Sequence, residues 1–296
     1  MKGIDISEFQ GIIDFKKVKE QVDFIMIRAS YGKKEDKMFR KNVEGCIKND
    51  IPFGVYYYSY ALNVDYAKDE VSVFLQTIKP YKEFIKYPCV IDMEDGDGYK
   101  LKNGFPKNEV LVDICDTACN IIGNSGYYPM IYASLDWFSN KLNNDKLQKY
   151  NKWIAWWNKN AKVDKTKYQI WQYTDEGSIE GIGTKVDMNE SFIEYDKLIA
   201  YLNNIKKIQE VKLKAGIEDL TIQFISCYKY GNDLLNKIHK RLNNPKRAKS
   251  DKEIKEVIKE EYNLEDKTIT YLDSYIYGEQ LFLKLYRAIC ENKEKI

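Results

Sequence analysis

The sequence predicts an α/β chain: a modified (β/α) TIM-like barrel over residues 1–200, then a small all-helical domain over 205–296. Three observations carry this. The first 200 residues alternate short apolar runs with helical patterns. From Asn203 the composition shifts to Lys, Glu, Ile and Leu, with one Pro and little strand signal. The tail then repeats itself, as a duplicated unit of about 46 residues.

The strand-like runs fall at 3–6, 24–28, 53–58, 89–91, 130–132, 153–156 and 168–171. Between them Ala67, Val71, Phe74, Leu75 and Ile78 recur at helical spacing. So do Val110, Leu111, Ile114, Cys115, Ala118 and Ile122. Pro106 and Asn108 stand near the start of that second helix, where both are tolerated. Strands separated by helices imply βα units and a parallel sheet; a barrel is favoured and a doubly wound sheet is the alternative. Gly-x-Gly-x-x-Gly and Walker patterns are both missing, which removes support for a nucleotide-binding sheet. Beyond Lys159 the helices thin out. Gly177, Gly181 and Gly183 mark turns, and the last strands can pair through hairpins.

In the tail, Ile217-Glu218-Asp219-Leu220-Thr221-Ile222 recurs as Leu264-Glu265-Asp266-Lys267-Thr268-Ile269. Tyr228-Lys229-Tyr230-Gly231 recurs as Tyr275-Ile276-Tyr277-Gly278 at the same offset of 47. Each copy reads as helix, turn, helix, with Asp219 and Asp266 as caps. One copy would be marginal alone, and two can bury each other's apolar faces. Pro245, Lys246, Arg247 and Lys249 mark a basic loop between the copies. It reads as solvated surface or as a contact for an anionic polymer.

Net charge is +2, and the positive surplus lies in the tail. No run of 18 apolar residues is present, so no membrane span is expected. Met1-Lys2 leads directly into an apolar strand, so no secretory signal is expected and the protein is expected to be made in the cytoplasm. The six Cys read as free buried thiols.

The chemistry concentrates at Pro88-Cys89-Val90-Ile91-Asp92-Met93-Glu94-Asp95. An apolar strand ends in two carboxylates two residues apart, on one side of the strand. Asp5 and Asp187 also follow apolar stretches, so four acids can converge on one barrel mouth. Such a cluster suits glycosidic cleavage, which needs a proton donor and nearby negative charge. It also suits a divalent-metal site, or plain surface acids. The sole His, His239, lies in the tail, which excludes a Ser-His-Asp or Cys-His site in the first domain and disfavours zinc. Aromatic residues flank the same strand ends: Tyr56, Tyr57, Tyr58, Tyr60, Tyr132, Trp153, Trp156, Trp157 and Trp171. Flat apolar faces with polar edges suit sugar rings. Nucleobases fit less well, because the first domain is net acidic and lacks a basic track.

These residues resemble glycoside hydrolase family 25 lysozymes. The resemblance is carried by Gly3-Ile4-Asp5-Ile6-Ser7-Glu8-Phe9-Gln10-Gly11, Arg28-Ala29-Ser30, Gly54-Val55-Tyr56, Asp92-Met93-Glu94, Trp171-Gln172-Tyr173 and Val186-Asp187, over about residues 1–195. It implies a flattened barrel with its last strands partly antiparallel. It implies cleavage of the β-1,4 bond between N-acetylmuramic acid and N-acetylglucosamine in peptidoglycan, without metal or cofactor. Glu94 matches the general acid, Asp92 its partner at the 2-acetamido group, and Asp5 and Asp187 the other two acids. Tyr58, Tyr60, Tyr132, Trp156 and Gln172 match sugar contacts. Two positions depart from the pattern: Tyr57 stands where His is common, and Tyr31 where an acid is. In a phage or prophage endolysin of this type, released by a holin, the tail would bind the cell wall, including an anionic wall polymer. Partners would be peptidoglycan strands, with no nucleic acid and no membrane. A tail that forms homo-oligomers or binds a partner is the alternative, and a non-catalytic glycan-binding protein is a further one.

Overall fold

A computed structural model of the chain describes residues 1–158, 160–244, 246–248 and 252–290. The chain divides into two compact units, Met1–Ile199 and Ala200–Ile296. The first contains β1 (Lys2–Ile6), β2 (Phe24–Tyr31), β3 (Lys34–Glu35), β4 (Phe53–Tyr58), β5 (Ile85–Asp92), β6 (Pro129–Ser134), β7 (Asn151–Ala155), β8 (Ile170–Gly177) and β9 (Val186–Ser191). Its helices are α1 (Phe15–Lys19), α2 (Phe39–Lys48), α3 (Val64–Ile78), α4 (Tyr99–Lys102) and α5 (Asn108–Asn124).

The sheet closes in the order β1-β9-β8-β7-β6-β5-β4-β2 and returns to β1, with β3 hanging on β2 as a short hairpin partner. Pairs from β1–β2 round to β7–β8 are parallel, and β9 is antiparallel to both β8 and β1. The link from β8 to β9 holds no helix, and so short a link suits a hairpin rather than a parallel crossover. Residues alternate between two cores. Phe24, Met26, Tyr56, Val90, Met130 and Trp153 fill the barrel interior. Ile25, Ile27, Val55, Tyr57 and Ile91 face the layer that α3 and α5 supply with Val71, Phe74, Leu111 and Ile114. Asn63 caps α3 by accepting from the Tyr66 amide at 2.8 Å. The thiols of Cys46, Cys89, Cys115 and Cys119 are buried and free. Cys227 is free but exposed, contrary to the expectation of burial, because it ends a helix on its solvent side.

Helix α6 (Tyr195–Ala215) runs from one unit into the next. In the second unit follow α7 (Asp219–Cys227), α8 (Gly231–Leu242), α9 (Ile254–Glu261), α10 (Asp266–Asp273) and α11 (Gly278–Cys290). Each copy therefore uses three helices, where the pattern suggested two: the end of α6 matches α9, α7 matches α10, and α8 matches α11. Gly216 and Asn263 hold equivalent left-handed turns at φ +65° and +51°. Asp219 and Asp266 do not cap. They open their helices and pair with Lys212 and Lys259 of the preceding helices. Pro245 and Lys249 of the basic loop lie outside the described residues.

The copies meet about a pseudo-twofold axis. Tyr275, Phe224, Tyr271 and Tyr228 stack in that order, with centroids 4.3, 4.4 and 4.2 Å apart. Phe224 and Tyr271 are equivalent positions, as are Tyr228 and Tyr275, so the column is symmetric. Its ends are tied reciprocally: the Tyr275 hydroxyl lies 3.3 Å from the Thr221 Oγ1, and the Tyr228 hydroxyl 3.2 Å from the Thr268 Oγ1. Each ring pair adds about 0.5–1.5 kcal/mol beyond its buried area.

Gly231 starts α8 hard against α7. A Cβ there would sit 2.2 Å from the Ile225 carbonyl oxygen, which is backbone and cannot step aside. At the equivalent Gly278 the distance to the Leu272 carbonyl oxygen is 2.8 Å. Gly231→Ala is expected to destabilise the helical unit by about 2–3 kcal/mol, and Gly278→Ala by less. Denaturant unfolding of the full chain checks the order; equal and negligible effects would contradict the packing described.

Candidate active site

The acids reach one mouth for separate local reasons. Asp5 lies next to the end of β1. Asp187 lies near the start of β9, which is antiparallel, so the two face each other in register. Asp92 ends β5, flanked in register by Tyr58 of β4 and Tyr132 of β6. Glu94 follows two residues on. All four border a cavity of about 290 Å³, together with Tyr58, Tyr132, Gln172 and the rim residue Phe9.

Gln172 organises the floor. Its amide nitrogen donates to Asp5 Oδ2 at 3.0 Å and to Asp187 Oδ2 at 3.3 Å. Its oxygen accepts from the Tyr132 hydroxyl at 2.9 Å and from Trp157 Nε1 at 3.0 Å. Asn189 donates to the same Asp5 oxygen at 2.8 Å and accepts from Trp153 Nε1 at 2.8 Å. Burial raises the Asp5 carboxyl, and the amide donors Asn189 and Gln172 that converge on it oppose the rise. Burial, then the Asp5 charge and a hydrogen bond with it, pushes the Asp187 carboxyl up.

Asp92 is 4% exposed, and its Oδ1 has no hydrogen-bond partner. Burial, reinforced by Glu94, holds its carboxyl well above the usual range. Glu94 is half-buried at the cavity wall and is also raised by burial, with Lys100 opposing. The arrangement offers an acid at the cavity wall whose carboxyl is raised, a deep carboxyl with a free acceptor oxygen, and a facing pair of which Asp5 takes both amide donors.

Lys100, on α4, is fully buried. Its ammonium donates to the carbonyl oxygens of Glu94, at 2.6 Å, and of Ser59, which ties the loop after β5 to the end of β4. Glu70 of α3 anchors the same β4 end, accepting from the Ser59 hydroxyl at 2.7 Å and the Tyr60 amide at 2.8 Å. Burial raises the Glu70 carboxyl to about 7. A raised carboxyl stabilises the fold below its ordinary value of 4.5 and loses that contribution as pH rises towards 7. Glu70→Gln is expected to flatten stability across that window, removing a fall on the order of 3 kcal/mol. Urea midpoints at pH 4.5 and 7.5 check it; parallel slopes in both proteins would refute it.

Among the residues expected at the site, Asp5, Asp92, Glu94, Asp187, Tyr58, Tyr132 and Gln172 line the cavity, and Tyr60 and Trp156 do not. The Tyr60 hydroxyl donates to Asp97 at 2.8 Å. Trp156 packs against the outer core, and its neighbour Trp157 reaches Gln172 instead. β7 ends at Ala155, so Trp156 and Trp157 both follow outside the strand. Tyr57, the departure from the usual His, points away from the cavity and packs on Phe74 at 5.0 Å. Asn189 was not anticipated, although its spacing of two from Asp187 puts it on the same strand face. Lys100 carries no signal in the sequence.

A family model described as glycosyl hydrolases family 25 matches residues 4–182. The chain belongs to glycosyl hydrolase family 25. It is similar to an autolytic lysozyme of Clostridium acetobutylicum, at 27% identity over 231 residues that cover 74% of this chain and 67% of the relative. It is also similar to the modular autolysin LytC from Streptococcus pneumoniae, solved in complex with a synthetic peptidoglycan ligand. Identity there is 29% and the TM-score 0.59, over 64% of this chain and 46% of that one, so the chain spans just under half of that autolysin. A family 25 glycosyl hydrolase from Bacillus anthracis shares the fold at 23% identity and a TM-score of 0.58, over 68% of this chain and 92% of that one. The four carboxyls and Gln172 thus sit in a family 25 barrel. The family model ends at residue 182, ahead of Asp187 and the whole helical unit.

Proposed function

We propose that this family 25 chain is a muramidase of endolysin type. It hydrolyses the β-1,4 bond between N-acetylmuramic acid and N-acetylglucosamine, and residues 205–296 hold it on the wall. The observation that carries the reading is the half-buried Glu94, its carboxyl raised by burial, in one cavity with the deep, unpartnered Asp92 oxygen. A bound 2-acetamido group donates its N–H to Asp92 Oδ1, which favours the carboxylate there and leaves the proton on Glu94. Glu94 then protonates the leaving glycosidic oxygen while the acetamido oxygen closes on the anomeric carbon. The Asp5 anion, fixed by Gln172 and Asn189, offsets positive charge at that carbon, and Tyr58 and Tyr132 give the sugar its flat contacts.

For the tail, the surplus of basic side chains suits an anionic wall polymer. The Tyr-rich faces that would otherwise serve as an interface between chains cover each other about the pseudo-twofold axis. In this reading a phage-type holin gives the enzyme access to the wall. Among the described residues no helix is long and apolar enough to cross a membrane.

Mass spectrometry of fragments released from purified Gram-positive peptidoglycan tests the chemistry. New reducing ends on N-acetylmuramic acid are expected; reducing ends on N-acetylglucosamine, or free peptide ends, would overturn the bond assignment. Deleting residues 205–296 is expected to slow lysis of intact cells by about 10–100-fold, through lost effective concentration, and to spare activity on solubilised glycan. Equal lysis by both forms would remove the targeting role.

A further inference from the structure

The contact between the two copies builds two equivalent surface sites with different side chains. At the first, a cavity of about 260 Å³ is lined by Leu220 and Thr221 of the first copy and by Tyr275, Tyr277, Gln280 and Lys284 of the second, with Glu218 at its edge. The equivalent positions at the second site are Lys267, Thr268, Tyr228, Tyr230, Asp233, Lys237 and Glu265. Two exchanges matter: Leu220 against Lys267, and Gln280 against Asp233.

At the second site a lysine stands in place of Leu220. Lys267 lies over the Tyr230 ring, 4.6 Å from its centroid, and pairs with Glu265 at 2.6 Å. Lys237 turns to Asp233 at 3.1 Å. At the first site Leu220 has no charge to place over the Tyr277 ring and stands out in solvent; the rings are similarly exposed, Tyr277 48% and Tyr230 42%, so the difference is the cation over Tyr230. Gln280 gives Lys284 no acid one turn back on its own helix, and Lys284 pairs instead with Glu218. The open site is therefore electrically balanced before anything binds. An added cation would find Glu218 already neutralised, and an added anion would compete for Lys284.

What remains is an aromatic face edged by neutral donors and acceptors: the Gln280 amide and the Tyr277 hydroxyl. A hydroxyl-bearing pyranose meets that combination, with its C–H face on the ring and its hydroxyls at the edge. We propose that the cavity at Leu220, Tyr277 and Gln280 is a saccharide site that binds a neutral sugar unit of the wall, and that the second copy carries the same site closed by its own Lys267. The proposal rests on the wall-binding reading of the tail.

The internal difference between the copies supplies the test. Full-length protein in the Glu94→Gln background, which leaves walls undigested, is sedimented with purified Gram-positive walls. Leu220→Lys, which reproduces the closed copy at an exposed position, is expected to weaken binding at least tenfold with unchanged circular dichroism. Lys267→Leu opens the second site and is expected to raise the capacity of the walls' sugar for the protein towards two sites per chain, a gain that misfolding cannot imitate. Repeating the assay on walls stripped of secondary polysaccharide identifies the source. Retained Leu220-dependent binding assigns the glycan strand, and lost binding assigns the secondary polymer; either result supports the site. Wall binding that is equal in Leu220→Lys and in its parent overturns the site but keeps the tail as a wall-binding unit. Binding no stronger than that of a chain lacking residues 205–296 overturns both.

Discussion

Glu94→Gln is expected to lower turnover on peptidoglycan by about 10²–10⁴-fold, the range for loss of a positioned general acid. The amide keeps the shape of the side chain and removes only the proton that the leaving oxygen needs. The fold should survive, because Glu94 is held by its backbone: its carbonyl accepts from the Lys100 ammonium, and that contact does not involve the carboxyl. Substrate binding is expected to change little, so the loss should appear in kcat. Rates on solubilised glycan, with circular dichroism alongside, make the comparison; a variant that keeps a tenth or more of the parental turnover would sink the assignment.

The second large effect is expected at Asp92. Asp92→Asn turns an acceptor oxygen site into an amide that can present an N–H to the substrate's own N–H. Turnover is expected to fall by about 10²-fold or more, the scale at which lost orientation and electrostatic stabilisation are felt. The pH profile of the residual activity is expected to keep its alkaline limb. Burial raises both carboxyls and Glu94 adds to the rise at Asp92, but among the acids it is Asp5 that adds most to the rise at Glu94. A limb that moves would mean that Asp92 is charged when Glu94 gives up its proton. A variant with normal turnover would remove Asp92 from the reaction altogether.

Much of this site is visible in the chain because strand periodicity is local. An apolar run ending in Asp92, with Glu94 two residues later, places both acids on one side whatever the rest of the barrel does. Asp5 and Asp187 are legible in the same way. Periodicity fails where a strand stops. β7 ends at Ala155, so alternation does not choose between Trp156, expected from the resemblance, and Trp157, which makes the contact with Gln172. It also fails for side chains that act through space. Nothing around Lys100 marks it as the buried cation that fixes the Glu94 loop, because its partners are carbonyl oxygens on two different strand ends.

The helical unit divides in the same manner. The offset of 47 shows duplication, and Gly231 with Gly278 shows that a close approach recurs. Asp219 and Asp266 looked like caps because Asp before a helix usually is one. Their pairing with Lys212 and Lys259 depended on the helix starting one residue earlier.

The sequence by itself determined the order of strands and helices, the ends at which carboxylates stand, and the duplication. These follow from spacing along the chain, where each residue's face is set by the residues beside it. Only the tertiary structure decided that Asp5 and Asp187 face each other, that Gln172 and Asn189 both donate to Asp5, and that Lys267 lies over Tyr230. Those outcomes depend on closure of the barrel and on the pseudo-twofold axis. Both bring together residues distant in the chain, and the burial and charge balance that result are properties of the assembled surfaces rather than of any segment.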